Sequence, residues 1–208
     1  MKIYDISMEI KEDMAVYKDK AEKKPAIRQT RTLEQGSNEF RLEMDSHTGT
    51  HADSYFHMLP NGKRINEIIL EKFIGNCTVV DLTKTKNNII TAKDFKDNKT
   101  AIKKDDIILL KTRTSKLSKF DYNFTYLHES GATYLASKKI KLVGIDNLGI
   151  ERDQKNHETH KILFKKNIPI IEGLELADIK PGRYFFVGLP LKIKNCDASP
   201  IRAVLIEK

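Results

Sequence analysis

Three histidines and an aspartate crowd into eleven positions, His47-Thr48-Gly49-Thr50-His51-Ala52-Asp53-Ser54-Tyr55-Phe56-His57. They fall at even steps, so an extended strand would set His47, His51, Asp53 and His57 on one face. A straight strand would still keep them apart, since at about 3.3 Å per residue His47 and His57 stand on the order of 33 Å from one another. For the four to act together the backbone must bend, and Gly49 has the freedom to bend it. The step from His47 to His51 also fits one helix face, but Thr48-Gly49-Thr50 is a poor helix former, so a bent strand or loop is expected. Imidazole nitrogen and carboxylate oxygen suit zinc, manganese and iron. The carboxylate of Asp53 has two oxygens, so it can hold one ion on each and bridge a pair. A lone histidine in a polar loop would carry little weight; here the ligand types and their clustering both point to a metal.

The 208 residues suit one domain, and 39% hydrophobic with 32% charged residues allows a sizeable core under a heavily solvated surface. The net charge of +8 raises the question of nucleic acid. The lysines are scattered, however, and pairs such as Lys138-Lys139 and Lys165-Lys166 flank apolar runs as solvated ends. The charge is read as serving solubility and attracting an anionic substrate, with no nucleic-acid partner. Cys77 and Cys196 form neither a disulfide framework nor a Cys-x-x-Cys zinc motif, and Cys77 opens an apolar run that predicts burial. Met1 to Asp5 carries no apolar signal region and no run is long enough to span a membrane. A cytoplasmic protein without a membrane partner is expected.

Alternation predicts strands over Lys2–Ser7, weakly over Ala26–Leu33, and over Glu39–Asp45, with Gln35-Gly36-Ser37-Asn38 as the hairpin connection. The second hairpin strand would then run straight into the His47 cluster. Met8–Lys24 and Thr112–Asn123 read as surface loops. Ile65, Ile68, Ile69 and Phe73 have roughly helical spacing. Further helices are expected from an N-cap at Thr91 through Phe95, over Ser130–Ser137, and from Asp153 to Phe164. Buried strands are predicted over Cys77–Leu82 and Asp106–Lys111, a strand over Lys141–Asp146, a short apolar strand ending in a carboxylate within Ile168–Leu174, and the last strands over Arg183–Gly188 and Ile201–Ile206. His128 reads as a surface residue, and Asp146, with no partner in view, as a strand-end or turn residue rather than a catalytic one. In the third helix His157, His160 and Phe164 lie near one face. Taken singly, His160 is a surface helix histidine and Glu172 a solvated strand end.

The pattern His-x-Gly-Thr-His-x-Asp-x-x-x-His, six fixed positions in eleven, resembles the signature of the metal-dependent cyclase family, which includes bacterial kynurenine formamidase and isatin hydrolase. The resemblance runs over nearly the whole chain. It takes in Leu142-Val143-Gly144-Ile145-Asp146, the pair His160 and Glu172 twelve residues apart, Gly188-Leu189-Pro190-Leu191, and Asp197 through Ala203. Tyr55 stands where the family usually has proline, Tyr17 where it usually has a pocket-lining tryptophan, and Asn147-Leu148-Gly149 lacks a serine usual there.

The resemblance implies a single α/β domain around a mixed β-sheet or barrel-like core, of the swivelling β/β/α type, forming a homodimer or tetramer. It implies two divalent metal ions, with His47, His51 and Asp53 holding one and Asp53, His160 and Glu172 the other. Their nitrogen and oxygen ligands fit zinc or manganese. His57 is implied as the proton carrier, Tyr17 as a substrate contact, and His157 as a competing ligand whose spacing does not match. The expected reaction is metal-dependent hydrolysis of an amide or formamide bond of a small molecule, with N-formylkynurenine the named candidate and another cyclic amide or a lactone the alternative. Tyr17 and Tyr55 are both expected to reshape the pocket. A metal-binding protein without catalysis is the rival from another class, and the extra acid-base group at His57 favours an enzyme.

Overall fold

In the computed structural model, which describes residues 1–98, 101–115 and 119–207, the core is built on four adjacent parallel strands. The strands are β1 (Lys2–Asp5), β2 (Ala26–Arg31), β3 (Glu39–Glu43), β4 (His51–Asp53), β5 (Ile74–Asp81), β6 (Ile89–Ile90), β7 (Ile107–Lys111), β8 (Tyr126–Leu127), β9 (Leu142–Ile145), β10 (Ile170–Glu172), β11 (Gly182–Val187), β12 (Ala198–Pro200) and β13 (Val204–Glu207). Among the described residues three short α-helices accompany them: α1 (Ala92–Asp97), α2 (Glu129–Ser137) and α3 (Glu158–Phe164).

Nine strands form one mixed sheet in the order β1-β13-β11-β5-β7-β9-β10-β4-β12, open at β1 and β12. The run from β5 through β7 and β9 to β10 is parallel, and antiparallel wings extend it on both sides. The parallel strands read as continuous apolar runs because both faces of such a sheet are covered. Ile107 to Leu110, Leu142, Val143, Ile145, Ile170 and Ile171 have no exposed surface. This is the expected mixed-sheet α/β class.

Thr91 caps α1 as its sequence predicts, with Asp94 reaching back to the Thr91 backbone N–H. Four expectations are corrected. The spacing over Ile65–Phe73 gives two 3₁₀ turns, Ile65–Glu67 and Leu70–Phe73, separated by extended residues. The break buries Ile65, Ile68 and Phe73 while Ile69 and Leu70 face outward, a split that one helix through paired β-branched residues would not make. The third helix begins at Glu158 rather than Asp153, because Asp153 and His157 both take left-handed backbone angles. Strand β3 ends at Glu43 in a separate two-stranded sheet with β2 and does not deliver the His47 cluster. His128 is half-buried and caps α2, accepting from the Ser130 backbone N–H through Nδ1. Strand β12 lacks a sequence signal: three residues at a sheet edge are too short to show alternation.

Two glycines set the geometry of the wing that carries β4. Gly49 has φ +61° and turns the chain into β4, while Gly173, φ +70°, turns it out of β10. A Cβ on Gly173 would lie 2.4 Å from the Gly49 carbonyl oxygen. Thr50 Oγ1 donates to the Gly173 carbonyl at 2.5 Å and accepts from the Met8 N–H at 2.8 Å, tying three segments together. Gly173→Ala is therefore expected to destabilise the protein by more than about 1 kcal/mol, because neither the angle nor the space admits a methyl group. Urea unfolding of the variant checks this; a wild-type midpoint would show that the turn relaxes freely.

Candidate active site

The sequence needs a bend to gather its ligands, and sheet pairing supplies the rest. On β4, His51 and Asp53 point to one face of the sheet by alternation. The register of β4 with β10 sets His51 opposite Glu172, so a histidine and a carboxylate 121 positions apart in the chain become cross-strand neighbours. His51 Nε2 lies 3.5 Å from Glu172 Oε2 and 3.5 Å from Asp53 Oδ1. From the buried side of α3, His160 brings Nε2 to 3.7 Å from Asp53 Oδ2 and 3.6 Å from Glu172 Oε1. His47, in the turn before β4, places Nδ1 3.0 Å from Asp53 Oδ1. His57, in the 3₁₀ turn Tyr55–His57, sets its ring beside that of His47, tilted by 49° with centroids 4.4 Å apart. The five expected ligands and His57 thus converge on one place.

They group differently from the partition that the resemblance implies. Donor atoms of His51, Asp53 and Glu172 are close enough to share an ion, as are those of His47, Asp53 and His57, and those of Glu151, His157 and His160. Asp53 belongs to two groups. The two oxygens of Asp53 and Nε2 of His51 are buried with no hydrogen-bond partner among the described residues. Unsatisfied buried polar atoms are costly, so three of them together mark a place shaped for a further group. Nitrogen and oxygen donors in this arrangement fit a divalent cation.

Electrostatics agree with a strongly coupled cluster. Burial opposes ionisation of Asp53, yet the neighbouring imidazoles hold its carboxyl well below the usual range. Burial and the Asp53 charge oppose ionisation of Glu172, and contacts with His160 and His51 outweigh them, bringing it to about 2. Burial works against the imidazolium of His47, but Asp53 and Asp197 on its two nitrogens raise it to about 10.

Two residues of the cluster carry no role in the sequence reading. Asp197, just before β12, accepts from His47 Nε2 at 2.9 Å and from His57 Nδ1 at 3.0 Å through one oxygen, Oδ2. Those hydrogen bonds lower its carboxyl below the usual range. Glu151 contacts both His157 and His160. Asp197 stood in a segment matched to the family without a role, and Glu151 stood within nine residues of two histidines. Neither spacing is diagnostic without the fold.

The cluster opens into a cavity of about 690 Å³ whose wall includes Tyr17, His47, His51, His57, His160 and Glu172. Half-buried Tyr17 packs edge-on against Phe120 with centroids 5.0 Å apart. Its phenol is raised by burial and by the charges of Glu172, Glu151 and Asp153. Tyr55 does not line the wall: it is buried against Phe164, and burial raises its phenol to about 12. The side chain of Tyr55 joins the core.

The sequence profile of the Cyclase family matches residues 4–152. A kynurenine formamidase of Bacillus cereus is 32% identical over 176 residues, covering 83% of this chain and 82% of that protein. The solved structure of a potential metal-dependent hydrolase with cyclase activity superposes with a TM-score of 0.88 at 43% identity, covering 98% of this chain and 96% of that one. Isatin hydrolase A from Labrenzia aggregata shares the fold, with a TM-score of 0.86 at 22% identity over 100% and 94% of the two chains. This chain belongs to the Cyclase family.

Asp146 lies at the end of β9 as the sequence suggests, but it is buried, accepting from the Thr112 N–H at 2.8 Å and from Thr112 Oγ1 at 2.6 Å. Burial pushes it up to about 7, against those hydrogen bonds. A carboxyl raised on folding binds its proton more tightly in the native state. Its contribution to stability is therefore complete below pH 4 and is lost as pH rises to about 7. Asp146→Asn cannot ionise, so its stability relative to wild type should climb across that window by up to about 1.4 kcal/mol per pH unit. Urea titrations of both proteins at pH 5, 6, 7 and 8 measure the difference; parallel curves would refute it.

Proposed function

We propose that this chain is a metal-dependent hydrolase of an amide or formamide bond, with N-formylkynurenine as its leading substrate. The observation that carries the reading is the set of unpartnered buried atoms on His51 and Asp53 beside a cavity large enough for a small aromatic substrate. The similarity to a kynurenine formamidase supports it. In this reading His47, His51, Asp53, His160 and Glu172 would hold two divalent ions, zinc or manganese. Bound metal supplies a Lewis acid and lowers the pKa of water toward neutrality.

The chain's own groups do the rest. His57 donates its Nδ1–H to Asp197, which leaves Nε2 bare to take a proton from the attacking water and pass it to the leaving nitrogen. Asp197 fixes both rings that it touches. Tyr17 provides an aromatic wall for the substrate's ring, and the enzyme is one domain, cytoplasmic and oligomeric. No helix among the described residues is long and apolar enough to cross a membrane.

Protein reconstituted with zinc or manganese should approach two metal equivalents and hydrolyse at least one of a panel of N-formylkynurenine, isatin and lactones. Asp53→Ala should lose metal and turnover together. Intact folding with no metal uptake would sink the site assignment, and metal uptake without hydrolysis of any panel member would favour a binding protein.

The grouping of His57 with His47 and Asp53 also admits a second reading, in which His57 is a ligand. The acid-base reading expects His57→Ala to keep its metal while turnover falls about a hundredfold or more. The loss should shrink for a substrate with a good leaving group. Metal analysis and rates on one preparation decide between the readings, since metal lost in step with rate would make His57 a ligand.

A further inference from the structure

Glu151 has no part in the reaction as drawn, yet it is 7% exposed and sits against His160. Its Oε1 lies 3.1 Å from His160 Nδ1, off the ideal line for a hydrogen bond, and its Oε2 accepts from the His160 backbone N–H at 3.3 Å. His160 Nδ1 is buried and finds no other acceptor among the described residues. The opposite ring nitrogen, Nε2, faces Asp53 and Glu172. On its far side, Glu151 Oε1 is met by Nδ1 of exposed His157, whose left-handed backbone, φ +54°, stops α3 from starting a turn earlier. The carboxylate is thus held from outside and aimed at one nitrogen of a candidate ligand.

We propose that Glu151 is a positioning residue, accepting the Nδ1 proton of His160 so that Nε2 stays bare and directed at Asp53 and Glu172. A neutral imidazole carries one N–H, and whichever nitrogen donates cannot also bind a cation. A carboxylate behind a ligand histidine fixes that choice and the ring's rotation, and loss of such a partner typically costs tenfold to hundredfold in metal affinity. The inference rests on the reading of His160 as a ligand.

The test uses the full chain, stripped of metal and titrated with zinc against a competing chelator, with circular dichroism to verify folding. Glu151→Ala should bind zinc about tenfold to a hundredfold more weakly. Glu151→Gln, which keeps an oxygen acceptor for Nδ1, should recover most of that loss. His157→Ala should lose less than Glu151→Ala, because the Glu151 carboxylate itself remains. Nitrogen-15 shifts of His160 in the zinc-loaded protein should report a protonated Nδ1 with Nε2 on the metal in wild type and Glu151→Gln, and loss of that pattern in Glu151→Ala. Wild-type affinity in Glu151→Ala, or equal losses in the Ala and Gln variants, would overturn the positioning role. A His157→Ala loss as large as that of Glu151→Ala would also overturn it, by making Glu151 and His157 ligands themselves. His160→Ala serves as the control: if it binds zinc like wild type, the ligand reading of His160 fails and takes this inference with it.

Discussion

The burial of the Asp53 carboxylate among three imidazoles is the constraint to which the rest of this structure answers. A carboxylate removed from water must be hydrogen-bonded, paired or bound to a cation. Asp53 is 1% exposed, and neither of its oxygens has a hydrogen bond of good geometry, although His47, His51 and His160 all stand within 3.7 Å. Glu172 lies beside it, also buried, and although its Oε1 accepts from the Ile150 N–H at 2.6 Å its charge makes the local problem worse. Such an arrangement persists only if the surrounding backbone leaves the side chains no way out. Pairing of β4 with β10 on one side and β12 on the other does this, because those three strands hold both residues and Asp197 just ahead of β12.

The support is layered. Parallel strands β5, β7, β9 and β10 bury aliphatic side chains with no exposed surface, and this burial is the main stabilising contribution. The polar wing built on β10 is stitched to that core by backbone contacts with little tolerance. Gly173 N–H donates to the Asn147 carbonyl at 2.7 Å, and the Gly49 carbonyl lies where a side chain at Gly173 would stand. The same Gly49 carbonyl accepts from His51 Nδ1 at 2.9 Å, which leaves His51 Nε2 for the interior. One carbonyl therefore helps to set both the turn and the orientation of a ring. Asp197 works similarly on His47 and His57. Each of these histidines has its second ring nitrogen held by an oxygen acceptor, which directs the ring.

The cavity follows from these placements. Its floor belongs to β4, β10 and α3, and its wall includes the segment around Tyr17, which packs on Phe120. A substrate would therefore sit between a rigid polar floor and an aromatic side formed by irregular chain. Variation in that irregular segment can alter which ring is accepted while the floor stays the same.

Much of this was legible in the residues. The buried strands announced themselves as β-branched runs, because a strand covered on both faces needs no polar alternation, and Thr91 announced a helix start. His47, His51, Asp53 and His57 stood close enough in sequence for their chemistry to be read, including the need for a bend at Gly49. His160 and Glu172 were legible only by resemblance, since each alone looks like an ordinary surface residue. Only tertiary structure decided that Glu172 is buried opposite His51, that Asp197 joins His47 to His57, that Glu151 stands behind His160, and that Tyr55 turns into the core. The physical reason is common to all four. Local pattern records the preferences of a residue and its near neighbours, whereas strand register and helix docking decide which distant charges must share a space from which water is excluded.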